Sequence, residues 1–150
     1  MEEELHRLAS EMFRVFARFE YALKAAGFHN GDGAAEPNWR AFAETIPDAL
    51  QAQQNPELVK AVAYILEHPP KKQMVRNSQL EWSVSAPETD LHSDRVLIYV
   101  RRVRNNLFHG GKFNGRWFEP ERSEQLLRHC LTILNFCLES SPRLREAYTN

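Results

Sequence analysis

Cysteine is scarce in this sequence: 150 residues contain two, Cys130 and Cys137. Seven positions apart in a helical-looking segment, both fall on one face about two turns apart, so they read as reduced core thiols and exclude a disulfide framework. No structural metal is required either, because a chain of this length can bury roughly 68–70% of its unfolded surface in one core. Long apolar runs are missing; none approaches the ~20 residues that cross a bilayer. The opening Met1-Glu2-Glu3-Glu4 has no basic stretch leading into an apolar one, so a secretory leader is not expected and a cytoplasmic location is. A Gly-rich phosphate loop, a Gly-x-Ser-x-Gly elbow and a Cys-x-x-Cys pair are all absent, which removes three common enzyme signatures.

What is present is the make-up of one ordinary globular domain covering residues 1–150, with 43% hydrophobic and 26% charged residues. The net charge of −1 conceals an asymmetry. Residues 1–70 carry six Lys/Arg against eleven Asp/Glu, residues 71–118 carry nine against four, and residues 119–150 carry four against five. The middle third is therefore electropositive, which suits a polyanionic partner as well as it suits a solvated helix face.

Apolar periodicity divides the chain into helices. Leu5, Leu8, Met12, Val15, Phe19, Ala22 and Ala26 mark a long first helix, stopped by Gly27. Trp39, Phe42, Ile46 and Leu50 mark a broken second one over residues 38–53, in which Pro47 either kinks the helix or starts a new one. Asn55-Pro56 is an N-cap followed by proline at the first helical position; the helix that it opens ends at Pro69-Pro70. Lys71 to Pro87 shows no sustained helical period, and Trp82-Ser83-Val84-Ser85 fits a short strand or a surface connection equally well. A helix then runs from near Thr89 to about Phe108, with Val96, Val100, Val103 and Leu107 in one stripe and Leu97, Ile98 and Tyr99 widening it, as expected of a central helix. Asn114-Gly115 between short aromatic-bearing runs predicts a two-residue hairpin. The last long helix opens at Pro120, buries Leu126, Leu127, Cys130, Ile133, Leu134 and Cys137, and gives way to a short helical tail after Ser140-Ser141-Pro142. The expected fold is an all-α, up-and-down bundle of about five helices with a small β-hairpin between the last two long ones.

The segment that carries chemistry is Arg104-Asn105-Asn106-Leu107-Phe108-His109. Arginine supplies a permanent charge and a fork of donors matched to phosphate oxygens, including those of a pentavalent transition state. Histidine exchanges a proton near neutral pH, and an amide beside them can hold a phosphate or fix the imidazole tautomer. These groups suffice to cleave RNA without metal if a 2′-hydroxyl attacks its own phosphodiester, leaving a 2′,3′-cyclic phosphate. Residues five apart on a continuous helix point about 140° away from each other, so His109 has to come off the helix end, and Gly110-Gly111 permits the turn. A histidine at a helix C-terminus also feels the negative end of the dipole, which favours its protonated form.

This segment resembles the signature of the HEPN domains (higher eukaryotes and prokaryotes nucleotide-binding): an arginine and a histidine separated by four to six residues, with a polar residue directly after the arginine. The resemblance extends over residues 5–140, through the long first helix with Phe19-Glu20-Tyr21-Ala22-Leu23 near its end and the helical order that follows. It implies a helical domain that pairs with a second copy to form a composite cleft, acting as a metal-independent endoribonuclease with no cofactor, in toxin-antitoxin or other defence systems. It equally allows a non-catalytic scaffold that binds nucleic acid or nucleotide and pairs with an antitoxin or a nucleotidyltransferase-like partner. Position by position, Arg104 matches the phosphate-binding arginine, Asn105 the adjacent polar residue and His109 the histidine that attends proton transfer. Arg102 is a rival at a separation of six, disfavoured because the apolar Val103 follows it. Arg101, Arg102, Lys112 and Arg116 are the candidate RNA-binding cations.

Other constellations carry less. His92 between Asp90 and Asp94 alternates at two-residue spacing, which does not converge on one ion, so no metal site is assigned; acidic groups at a helix start complement its dipole instead. His68 and His129 have no partner at ligand spacing and read as surface and boundary residues. Trp82, Trp117, Phe113 and Tyr99 lie in the basic third, where aromatic faces can stack unpaired bases or simply pack.

Overall fold

The structure, a computed structural model, describes residues 2–51, 54–108, 112–113, 116–117 and 120–149. The first helix, α1 (Glu2–Ala25), buries Leu5, Leu8, Met12, Val15, Phe16, Phe19, Ala22 and Leu23, which is the stripe its spacing predicts. It ends because Gly27 takes φ +98°. The Phe28 amide then donates back to the Leu23 carbonyl at 2.8 Å and the Gly27 amide to that of Lys24 at 3.2 Å, satisfying carbonyls that the helix end would leave open.

The expected broken helix resolves into two pieces, α2 (Trp39–Ala43) and α3 (Pro47–Leu50), with Pro47 starting the second. Asn38 caps α2, its Oδ1 accepting from the Ala41 amide at 2.9 Å. Asn55 does the same for α4 (Pro56–Glu67), accepting from the Leu58 amide at 3.2 Å. Pro56 lies at the start of that helix, where no intrahelical donor is lost.

Between α4 and the next helix the chain forms an antiparallel hairpin of β1 (Lys72–Arg76) and β2 (Gln79–Ser83), in a register that pairs Val75 with Leu80 and Gln73 with Trp82. The strand over Trp82-Ser83 is thus half of a hairpin that reaches back to Lys72. Its turn residues Asn77 and Ser78 both take positive φ, 52° and 63°, the conformation that matches strand twist in a two-residue connection.

Helix α5 (His92–Phe108) starts three residues later than the expected Thr89. Thr89 is used in the approach instead: its Oγ1 accepts from the Leu91 amide at 3.3 Å and its carbonyl from Arg95 Nη2 at 2.8 Å. The helix touches α1, α2, α3, α4, β1 and the last long helix, and its Val96, Leu97, Tyr99, Val100 and Val103 are buried, as befits a central element. A second, shorter antiparallel pair follows, β3 (Lys112–Phe113) with β4 (Arg116–Trp117), where the Asn-Gly signal placed it; Asn114 and Gly115 themselves lie outside the described residues.

Helix α6 (Pro120–Ser140) packs against α1 on one side and α4 on the other, and α7 (Pro142–Thr149) closes over α1 and α6 with Leu144 fully buried. Cys130 and Cys137 are free, buried thiols of α6, and burial pushes both above the ordinary cysteine range, Cys137 to about 12. Core side chains such as Leu97 and Ile133 are fully buried and each contributes roughly 1.5–3 kcal/mol. Among the described residues no helix is long and apolar enough to cross a membrane.

Candidate nucleic-acid interface

An aromatic floor lies under one end of α5. Phe19 stacks on Trp39 with centroids 5.2 Å apart, and Phe16 stacks on the same indole at 5.3 Å, joining α1 to α2. Trp39 Nε1 donates to Glu20 Oε2 at 2.8 Å, which orients both side chains. Two guanidiniums lie over this floor, Arg101 at 5.5 Å from the Trp39 centroid and Arg104 at 5.4 Å from that of Phe16. Three residues apart on α5, they share one helix face. Asn105 steadies the second, its Oδ1 accepting from Arg104 Nη1 at 3.1 Å.

Above the floor is a cleft of about 250 Å³ lined by Phe16, Glu20, Lys72, Ile98, Arg101, Arg102, Arg104 and Asn105. Four cations face one carboxylate there, so the cleft favours an anion. The structure therefore brings together four of the sequence candidates, Arg101, Arg102, Arg104 and Asn105.

Their roles differ. Arg101 is the most deeply set: Nη2 lies 3.9 Å from Asp94 Oδ1, and Asp94 is itself buried and held by Arg40 Nη1 at 3.2 Å. Burial draws the Arg101 guanidinium below its ordinary value while Asp94 and then Glu20 oppose the shift, and its Nε is buried without a hydrogen-bond partner. Asp94 thus does structural work, pairing with two arginines. Arg102 donates from Nη1 to the Ser85 carbonyl at 2.8 Å and lies 5.4 Å from the Tyr99 ring centroid. Asn106, inside the motif, turns elsewhere: Nδ2 donates to the Lys71 carbonyl at 2.8 Å.

His109 directly follows Phe108, the last residue of α5, and lies outside the described residues; so do the side chains of Lys112 and Arg116 and those of Phe113 and Trp117. Of the remaining aromatic candidates, Tyr99 is buried and Trp82 half-buried.

Sequence reasoning missed Lys72, Phe16 and Glu20 as cleft residues. The i, i+4 spacing of Phe16 and Glu20 marks them as neighbours on α1, but nothing local says that α5 crosses there. It also missed a ring ladder elsewhere: the Tyr64 ring lies 4.4 Å from that of His68 and 4.7 Å from that of His129, centroid to centroid, while His68 is exposed and His129 half-buried, the surface and boundary positions expected of them. No protein-family model, curated protein or solved structure matches the chain.

Proposed function

We propose that the protein is a metal-independent endoribonuclease of the HEPN type. The observation that supports it most is the cleft in which Arg104, steadied by Asn105 at 3.1 Å, stands with Arg101 and Arg102 of the last turns of α5 and Lys72 of β1, just ahead of His109 in the chain. In this reading the Arg104 fork binds the non-bridging oxygens of the scissile phosphate, and its charge is met more strongly as phosphorus becomes pentavalent. Arg101, Arg102, Lys112 and Arg116 attract and hold the flanking backbone. A histidine removes the proton of the 2′-hydroxyl, the freed oxygen attacks the adjacent phosphorus, and the 5′-oxygen departs with a proton from a general acid. The products are a 2′,3′-cyclic phosphate and a 5′-hydroxyl.

One imidazole cannot easily give and take a proton in the same step, so the reaction calls for two copies of the chain, each supplying an Arg104–His109 set to a shared cleft. A cytoplasmic toxin or defence effector, restrained by an antitoxin, fits an activity of this kind. The test is cleavage of single-stranded RNA in excess chelator, with DNA of the same sequence as control. Wild type cuts RNA and spares DNA, which lacks the attacking hydroxyl, and Arg104→Gln loses about 10²–10³ in rate, the usual effect of deleting one transition-state donor. RNA bound tightly but left intact by wild type would assign the non-catalytic scaffold role instead.

A further inference from the structure

The β1–β2 hairpin is the part of the cleft that the motif does not account for. It is fastened to α5 at both ends: Asn106 Nδ2 holds the Lys71 carbonyl where the chain enters it, and Arg102 Nη1 holds the Ser85 carbonyl where the chain leaves, each at 2.8 Å. These two residues flank Arg104 on the helix. The fastening sets the backbone of Lys72 one residue beyond a fixed point, and Lys72 lines the cleft.

Lys72 is the cleft cation that does not come from α5. Arg101 faces Asp94, Arg102 donates to Ser85 and Arg104 donates to Asn105, whereas among the described residues Lys72 is exposed and makes no ion pair or side-chain hydrogen bond. Along β1, Lys72, Met74 and Arg76 share one face. At the far end of that face Arg76 is neutralised by Glu81 at 2.9 Å, so the unneutralised charge of that face is at its root, in the cleft that Arg104 also lines. A compact ammonium on a flexible stem is suited to a phosphate met at variable distance.

We propose that Lys72 is a phosphate-binding residue of the cleft and that the β1–β2 hairpin acts as an arm gripping the RNA backbone at the phosphate next to the one held by Arg104. This rests on the RNA-binding reading given above. Its consequence is a substrate with at least two consecutive phosphates in the cleft, so a dinucleotide with one phosphate cannot use the arm.

The experiment measures binding of a 2′-O-methylated single-stranded RNA, which has no free 2′-hydroxyl and is not cut, to wild type, Lys72→Gln, Lys72→Arg and Arg76→Gln over a range of salt. Each phosphate contact contributes about 0.7 to the magnitude of the slope of log affinity against log salt for a single strand. Lys72→Gln is expected to lower the slope by about that amount and to raise KM for cleavable RNA several-fold at unchanged kcat. Lys72→Arg and Arg76→Gln keep the wild-type slope. If wild type binds and Lys72→Gln shows its full slope, or Arg76→Gln loses as much, the arm is refuted and the RNA-binding reading stands. If wild type shows no salt-dependent binding, both fall.

Discussion

Replacing Asn106 by alanine removes the hydrogen bond that its Nδ2 donates to the Lys71 carbonyl at 2.8 Å. A net hydrogen bond is worth about 1 kcal/mol, and a buried acceptor left without a donor costs about 1–3 kcal/mol; Lys71 is half-buried, so water can replace the amide in part and the loss sits near 1–1.5 kcal/mol. The tie at the other end of the hairpin, from Arg102 Nη1 to the Ser85 carbonyl at 2.8 Å, is left in place by this change. Val75 and Leu80, its paired apolar side chains, are 69% and 70% exposed, and the strands touch mainly each other and α5. The loss is therefore felt locally rather than by the whole bundle. Since about 1.4 kcal/mol is a factor of ten, amide hydrogen exchange across residues 72–83 should accelerate roughly five- to tenfold in Asn106→Ala, with exchange in α6 around Leu127–Leu134 unchanged. The adjacent Asn105→Ala is the control, because Asn105 accepts from Arg104 and does not touch the hairpin bond. Unchanged exchange over 72–83, or an equal rise in α6, would refute the fastening.

Two further outcomes follow from the structure, and one from the proposed two-copy reaction. Burial, helped by Arg95 for His92 and by Lys60 for His129, holds both imidazoles below the ordinary histidine value near 6.5, with Glu57 opposing the shift at His129. The unfolded chain then takes up protons that the folded one refuses, so their stability contribution is complete above pH 6.5 and is lost as the pH falls below it. Calorimetry from pH 7.5 to 5 should show a falling Tm, less steep in His129→Gln; a flat or rising Tm contradicts this. Glu4 acts in a separate window, since Arg7 and then Arg128 hold its carboxyl at about 2, so its contribution fades only as the pH drops below the usual carboxylate range. Light scattering at concentrations where RNA is cut should return twice the 17.5 kDa chain mass, and a strict monomer would contradict the shared cleft.

Local chemistry made much of the fold legible. Asn55-Pro56 predicts a cap and first turn, and both are present; Gly27 predicts a stop, and the φ of +98° supplies it. Pro47 was readable as a break, and it starts α3. The β1–β2 hairpin was half legible, because its paired apolar side chains Val75 and Leu80 face outward and so leave no inward alternation, and because Asn-Ser is a weaker turn signal than Asn-Gly. The start of α5 was misplaced for a related reason: the Thr89 hydroxyl caps its own turn before the helix begins. Within the site, Arg104 and Asn105 were legible from type and spacing. Lys72 was not, since its approach to α5 depends on two side-chain-to-backbone bonds, from Asn106 to Lys71 and from Arg102 to Ser85, whose partners are 35 and 17 positions apart. The same bonds separate the two candidate arginines, for Arg102 holds the hairpin while Arg104 stands with Asn105.

The measurement that bears most directly on the proposed chemistry is the end group left on RNA cut in excess chelator by wild type and by His109→Ala. A 2′,3′-cyclic phosphate from wild type, and a rate lower by about 10²–10⁴ in a variant that keeps its helical circular dichroism, is the expected result. Cutting that survives His109→Ala, or products ending in a 5′-phosphate, would contradict it.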